Sequence, residues 1–196
     1  MMNVVLISEQ TFSADEFEAM LGELPSSDLN HYELLEGRIV VTPPAGWPHG
    51  ECGSSLGALF GPFVRKHKLG RVFDSSQGFR LSDKDTVEPD YSFITHQRWA
   101  LGGPPVRGKF LNKVPNLVAE IIFPTTASRD RVRKRNIYAR YGIDEYWLID
   151  PEDEAIEVLV LKKDRYMVFS CARRKGRVRS KVLQGFSISL DEVFPL

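Results

Sequence analysis

Apolar positions along this chain fall into short strand-like runs, interrupted by a few stretches with a helical period. The clearest helix runs up to Lys68, where Leu56, Leu59, Phe60, Phe63 and Val64 repeat at the spacing of one buried face. Its basic last turn and Gly70 supply the stop. An earlier helix is predicted from Ser13, which forms a capping box with Glu16, to Gly22, with Phe12 placed to staple onto Phe17. A third, dense in cations, is predicted from Ser128 as N-cap to Tyr141, with Gly142 just beyond its end.

Between these lie predicted strands. Tyr32–Leu35 and Arg38–Val41 flank Glu36-Gly37 as a β-hairpin. Others are expected at 71–73, at 78–81, around Asp90, around Glu120 and at 145–149. Runs at 155–161 and 165–171 predict a terminal meander, followed by 185–190. The order points to one α/β (α+β) domain over 1–196, with a mixed central β-sheet flanked by helices and a C-terminal β-meander.

One residue breaks the apolar pattern where breaking it is expensive. Glu120 lies inside Leu117-Val118-Ala119-Glu120-Ile121-Ile122-Phe123, which reads as a strand buried on both faces. An ionised carboxylate there is unfavourable by several kcal/mol, on the order of 5, unless something positive meets it. Val87 to Ile94 brings a second acid, Asp90, at the start of another strand, and the cationic helix follows Glu120. Two acids beside a basic helix suit a divalent cation and a phosphate; a plain Glu120–arginine ion pair explains the same pattern.

Composition narrows the class. The chain has 196 residues, 42% hydrophobic and 27% charged, enough for a single domain with a substantial core. No apolar run approaches the roughly 20 residues needed to cross a bilayer, and the N-terminus lacks the basic flank of a signal peptide. Cys52 and Cys171 have no zinc or redox spacing, so reduced thiols in a cytoplasm are expected. Net charge is zero, but no Lys or Arg precedes Arg38, while cations crowd 65–68, 129–140 and 173–181. Such a face suits a polyanion, or is simply solvated surface.

On the third helix Asp130, Lys134 and Tyr138 are spaced i, i+4, i+8 and share a face. Turned toward Asp90 and Glu120, that face would complete a site in which the two acids bind Mg²⁺ or Mn²⁺ and Lys134 stabilises charge on the attacked phosphate. First-turn electrostatics for Asp130 and a simple Asp130–Lys134 pair are the competing explanations.

These pieces also carry a resemblance. Tyr32-Glu33-Leu34-Leu35-Glu36-Gly37, Pro48-His49, Glu88-Pro89-Asp90, Glu120 to Thr126, Asp130 with Lys134, and Tyr138 to Pro151 stand in the order found in the bacterial Uma-two family. That family consists of restriction-endonuclease-like proteins of the PD-(D/E)XK phosphodiesterase superfamily, and the chain resembles it best over about 32–151. The resemblance implies a restriction-endonuclease-like core, with Asp90 as the first acid and Glu120 as the second. The lysine usual two residues after the second acid is replaced by Ile122, and the family's relocated lysine corresponds to Lys134. The implied activity is divalent-metal-dependent endonucleolytic cleavage of nucleic acid, with DNA the expected substrate. The alternative is a catalytically silent nuclease-like module that binds nucleic acid. A homodimer would let two sites address two strands.

His49, Arg131, Arg133 and Tyr138 are further candidates for contacting nucleic acid. Each has a plainer reading: a loop histidine, surface cations, or a helix-face phenol. Trp47 and Trp99 would stack on bases or cover the core edge, and Asp150 before Pro151 reads as a turn residue.

Overall fold

The computed structural model describes residues 5–123 and 127–194. Residues 124–126, part of the resemblance above, lie outside them. The elements in chain order are β1 (Leu6–Ile7), α1 (Ala14–Gly22), β2 (His31–Leu35), β3 (Arg38–Thr42), α2 (His49–Lys66), β4 (Gly70–Asp74), β5 (Phe79–Arg80), β6 (Thr86–Val87), β7 (Tyr91–Thr95), α3 (His96–Trp99) and β8 (Leu117–Ile121). A π-helical segment (Arg129–Lys134) then runs into α4 (Arg135–Arg140). β9 (Glu145–Asp150), β10 (Ala155–Lys162), β11 (Arg165–Arg173), β12 (Arg177–Arg179) and β13 (Ser187–Ser189) complete the chain, with a short 3₁₀ turn at Leu190–Glu192.

The strands form a six-stranded sheet in the order β11-β10-β9-β8-β7-β4, a five-stranded sheet β1-β3-β2-β6-β5, and the pair β12-β13. The large sheet is mixed, as expected. Only β8 and β9 run parallel within it, Glu120 opposite Leu148, because the π-helical segment and α4 make the crossover between them. The hairpin turns where predicted, with Glu36 at φ 54° and Gly37 at φ 78°, the two left-handed residues that a tight hairpin requires. The Ser13–Glu16 capping box is formed.

Alternation along β8 explains the core. Leu117, Ala119 and Ile121 pack with Leu56, Phe60 and Trp147 under α2, while Val118 and Ile122 pack with Ile137, Tyr138 and Tyr146 under α4. Ala14, Phe17, Leu34 and Ile39 form a smaller cluster beneath α1.

Two expectations are corrected. Asp90 directly precedes a strand, β7, as expected, but the run from Val87 to Ile94 is divided: β6 belongs to the small sheet and β7 to the large one, and Glu88-Pro89-Asp90 crosses between them. The third helix does not start on Ser128, which is already helical at φ −65°, ψ −39° and makes no side-chain cap. Its first half is π-helical, a widening that a 3.6-residue period cannot anticipate. In the basic stretch 173–181, a turn follows β11 and Arg177–Arg179 form a strand against β13.

A buried carboxylate ties this C-terminal part to the large sheet. Glu145, fully buried at the head of β9, accepts the Trp147 indole N–H and the Ser180 hydroxyl at 2.6 Å each, and the Lys181 and Val182 amides at 2.6 and 2.9 Å.

Candidate active site

Where the small sheet meets the large one, a polar cleft of about 200 Å³ opens, lined by Glu33, Glu88, Asp90, Glu120, Asp130, His31, His49, Arg129 and Lys134. Glu120 reaches it from β8, on the face shared by Val118 and Ile122, and is 4% exposed. Its Oε1 lies 2.5 Å from Lys134 Nζ and accepts a short hydrogen bond from the Tyr138 hydroxyl. Lys134 Nζ is also 2.9 Å from Oε1 of Glu33, which comes from β2 of the other sheet. The same Glu33 oxygen accepts the Glu88 amide at 3.0 Å. Lys134 therefore joins the two sheets through a buried acid–lysine–acid triad.

Asp90 occupies the crossing between sheets. Its Oδ2 accepts the Ile121 amide at 2.7 Å, and its Oδ1 lies 3.1 Å from His49 Nε2 in the first turn of α2. The amide that orients Asp90 thus belongs to the residue after Glu120, which sets the two acids in register. Arg129 donates from Nη1 to Thr42 Oγ1 at 2.8 Å and from Nε to Asp130 Oδ1 at 3.2 Å. His31 and Glu88 also line the cleft, with His31 Nδ1 3.4 Å from Glu88 Oε2.

The charges are unevenly tuned. Burial pushes the Glu120 carboxyl well above the usual carboxylate range; Lys134 opposes this, and the like charges of Asp90, Asp130 and Glu33 add to it. Burial acts the same way on Glu33, but Lys134 and Arg129 outweigh it and hold that carboxyl below its ordinary value. Burial of Asp90 is likewise outweighed, chiefly by the His49 hydrogen bond. Lys134, which burial alone would discharge, is held charged by Glu120 and Glu33.

Among the described residues no group of three or more His, Cys, Asp or Glu side chains converges as a ready-made metal cage. The donor set nevertheless fits a hard divalent cation that keeps its waters, for which one or two carboxylates and substrate oxygens suffice. Five carboxylates face two cationic side chains here, and burial, then acidic neighbours, disfavour the charged form of Glu120. Asp90 and Glu120 are the residues that would hold the ion.

The structure gathers Asp90, Glu120, Lys134 and His49 at one cleft. The other expected contacts are placed elsewhere. Arg131 is paired to Asp150 at 2.9 Å and Glu157 at 2.8 Å. Arg133 is spent on Glu36 at 3.2 Å and on the Leu35 carbonyl at 2.6 Å. Tyr138 is fully buried and holds Glu120 instead of facing solvent, so a contact with nucleic acid is corrected to a supporting one. Asp150 accepts the Asp153 amide at 3.2 Å, as a turn residue does. Trp99 covers the core edge: its ring stacks on Phe73, with Arg71 and Lys113 over it.

Sequence reasoning assigned no role to Glu33, Arg129 or the His31–Glu88 pair. Glu33 lies on the same face of β2 as Leu35, but Leu34 on the other face is buried as well, so alternation along the strand does not single the acid out. Nothing in sequence distinguishes Arg129 from its neighbouring arginines.

Comparison with known proteins follows the same lines. A model of the Uma2 family, described as "Putative restriction endonuclease", matches residues 14–191. No curated protein matches the chain. Among solved structures, a "putative nuclease belonging to DUF820" from Anabaena variabilis superposes with a TM-score of 0.75 at 20% identity, over 93% of this chain and 97% of that one. At that identity the likeness speaks for the fold.

Proposed function

The chain belongs to the Uma2 family, and from that membership together with the cleft we propose that it is a divalent-metal-dependent endonuclease cleaving phosphodiester bonds of nucleic acid, DNA foremost. The observation that carries the reading is a charged, buried Lys134 held between Glu120 and Glu33 at an open cleft shared with Asp90. Bound by Asp90 and Glu120, Mg²⁺ or Mn²⁺ would supply Lewis acidity and a water of lowered pKa.

The protein's own groups do the positioning. His49 and the Ile121 amide fix the Asp90 carboxylate, and Tyr138 and Lys134 fix that of Glu120, so neither acid must reorganise when substrate arrives. Lys134 offsets negative charge at the cleft, and Arg129 is placed to meet a phosphate oxygen. A binding module without turnover is the second reading, favoured by one observation: Glu120 Oε1 already takes two donors.

The test is incubation of purified protein with plasmid and with single-stranded oligonucleotides in Mg²⁺, Mn²⁺ or chelator. Cleavage that needs the metal and is abolished in Glu120→Gln and Asp90→Asn supports the enzyme. Binding without cleavage under every metal leaves the module.

A further inference from the structure

The loop that delivers His49 to the cleft also carries Trp47, at 81% the most exposed of the large apolar side chains among the described residues. Pro43, Pro44 and Ala45 before it and His49 after it line the cleft, so the loop that carries Trp47 borders the cleft. Its ring is nonetheless anchored: the indole N–H donates to Glu51 Oε2, one turn into α2, at 2.9 Å. The other two tryptophans are used up, Trp147 fully buried in the core and Trp99 beneath Arg71 and Lys113. A tethered edge with the rest of the side chain in water, on a loop bordering a cleft where Arg129 is placed to meet a phosphate oxygen, combines the two parts of a single-strand binding site. These are an aromatic platform for a base and a cation for its phosphate.

We propose that Trp47 stacks on an unpaired nucleobase next to the phosphodiester in the cleft, so that the site takes single-stranded or locally opened nucleic acid. The proposal rests on the nuclease reading of the cleft. Within a duplex each base face is covered by its neighbours, and only an unpaired base offers a face to the indole. The platform is indifferent to base identity, because every base has such a face.

Binding is measured in Glu120→Gln protein, to prevent cleavage, by titrating tryptophan emission with a single-stranded oligonucleotide of mixed sequence and with a long blunt duplex. The single strand is expected to quench the emission of the exposed indole. Adding Trp47→Ala should remove the quench and weaken binding about ten-fold or more, while Trp47→Phe recovers most of the affinity. Equal affinity in the alanine variant, no oligonucleotide binding, or the same Trp47 dependence on duplex would each overturn the proposal. Cleavage by otherwise wild-type protein in Mn²⁺ is read separately. Single-strand cleavage with unchanged kcat/KM in Trp47→Ala keeps the nuclease and sinks the platform. A Trp47-dependent quench without cleavage by wild type keeps the platform and sinks catalysis.

Discussion

Lys134 and Glu120 look like equal partners, yet their removal should have opposite consequences. Lys134→Met leaves Glu33 and Glu120 buried and uncompensated, which is unfavourable by about 3–5 kcal/mol; the variant should melt well below wild type. Loss of activity in that protein alone would therefore say little about chemistry. In Glu33→Gln/Lys134→Met one acid is neutralised with the lysine, so most of the lost stability should return while cleavage stays at least about 10²-fold down. Recovery of cleavage in that double variant would remove Lys134 from the chemistry. Glu120→Gln instead relieves a carboxylate crowded by Asp90, Asp130 and Glu33, and leaves Lys134 its Glu33 partner. Thermal melting in chelator should find it as stable as wild type or more so; a drop of several degrees would show that Glu120 serves only as an ion-pair partner. At this scale the sequence was informative for a physical reason. Glu120 stood out because an acid inside an apolar strand is unfavourable unless used, and Asp90 and Lys134 because strand position, helix spacing and the resemblance set them beside it. Glu33 went unassigned because its strand is half polar to the eye, and its burial depends on a second sheet.

Elements of strong period were legible, and those whose geometry departs from the period were not. The α2 face and the hairpin followed from spacing and turn chemistry, whereas the π-helical segment, six residues long, is too short for its wider period to be read. Its effect is local and testable. In the widened turn the Asp130 carbonyl accepts the Tyr146 hydroxyl at 2.9 Å, from β9, which pins the segment that carries Lys134. Tyr146→Phe removes that donor from a fully buried position, so stability should fall by about 1 kcal/mol. If the segment's geometry matters to the site, kcat should fall with KM little changed; unaltered kinetics would make the widened turn a packing feature alone.

For the whole molecule, the order of motifs resembled one family and the fold agrees with it, but the division of strands between two sheets was beyond pattern reading. Hydrophobic period tells which face of a strand is buried and is silent on which sheet the strand joins. The division matters because the cleft is assembled from both sheets, with Glu33 on one and Glu120 on the other. A cation bound there stabilises the native state only, by about 2.7 kcal/mol at a hundred times its Kd. Mn²⁺ should thus raise the melting temperature of wild type by roughly 5–10 °C, and Glu120→Gln should lose most of the rise. A wild type indifferent to Mn²⁺ would dispose of the metal site. The Glu145 cluster carries a different consequence, for where the chain can be shortened. Every recognisable motif ends by Pro151, which invites trimming the rest as an appendage. Yet a chain ending at Lys175 would strip Glu145 of the Ser180 hydroxyl and the Lys181 and Val182 amides, stranding a carboxylate at the head of the strand beside Glu120's own. The minimal folding unit is therefore expected to extend well past the minimal motif, and proteolysis in this tail should unfold the site it never touches.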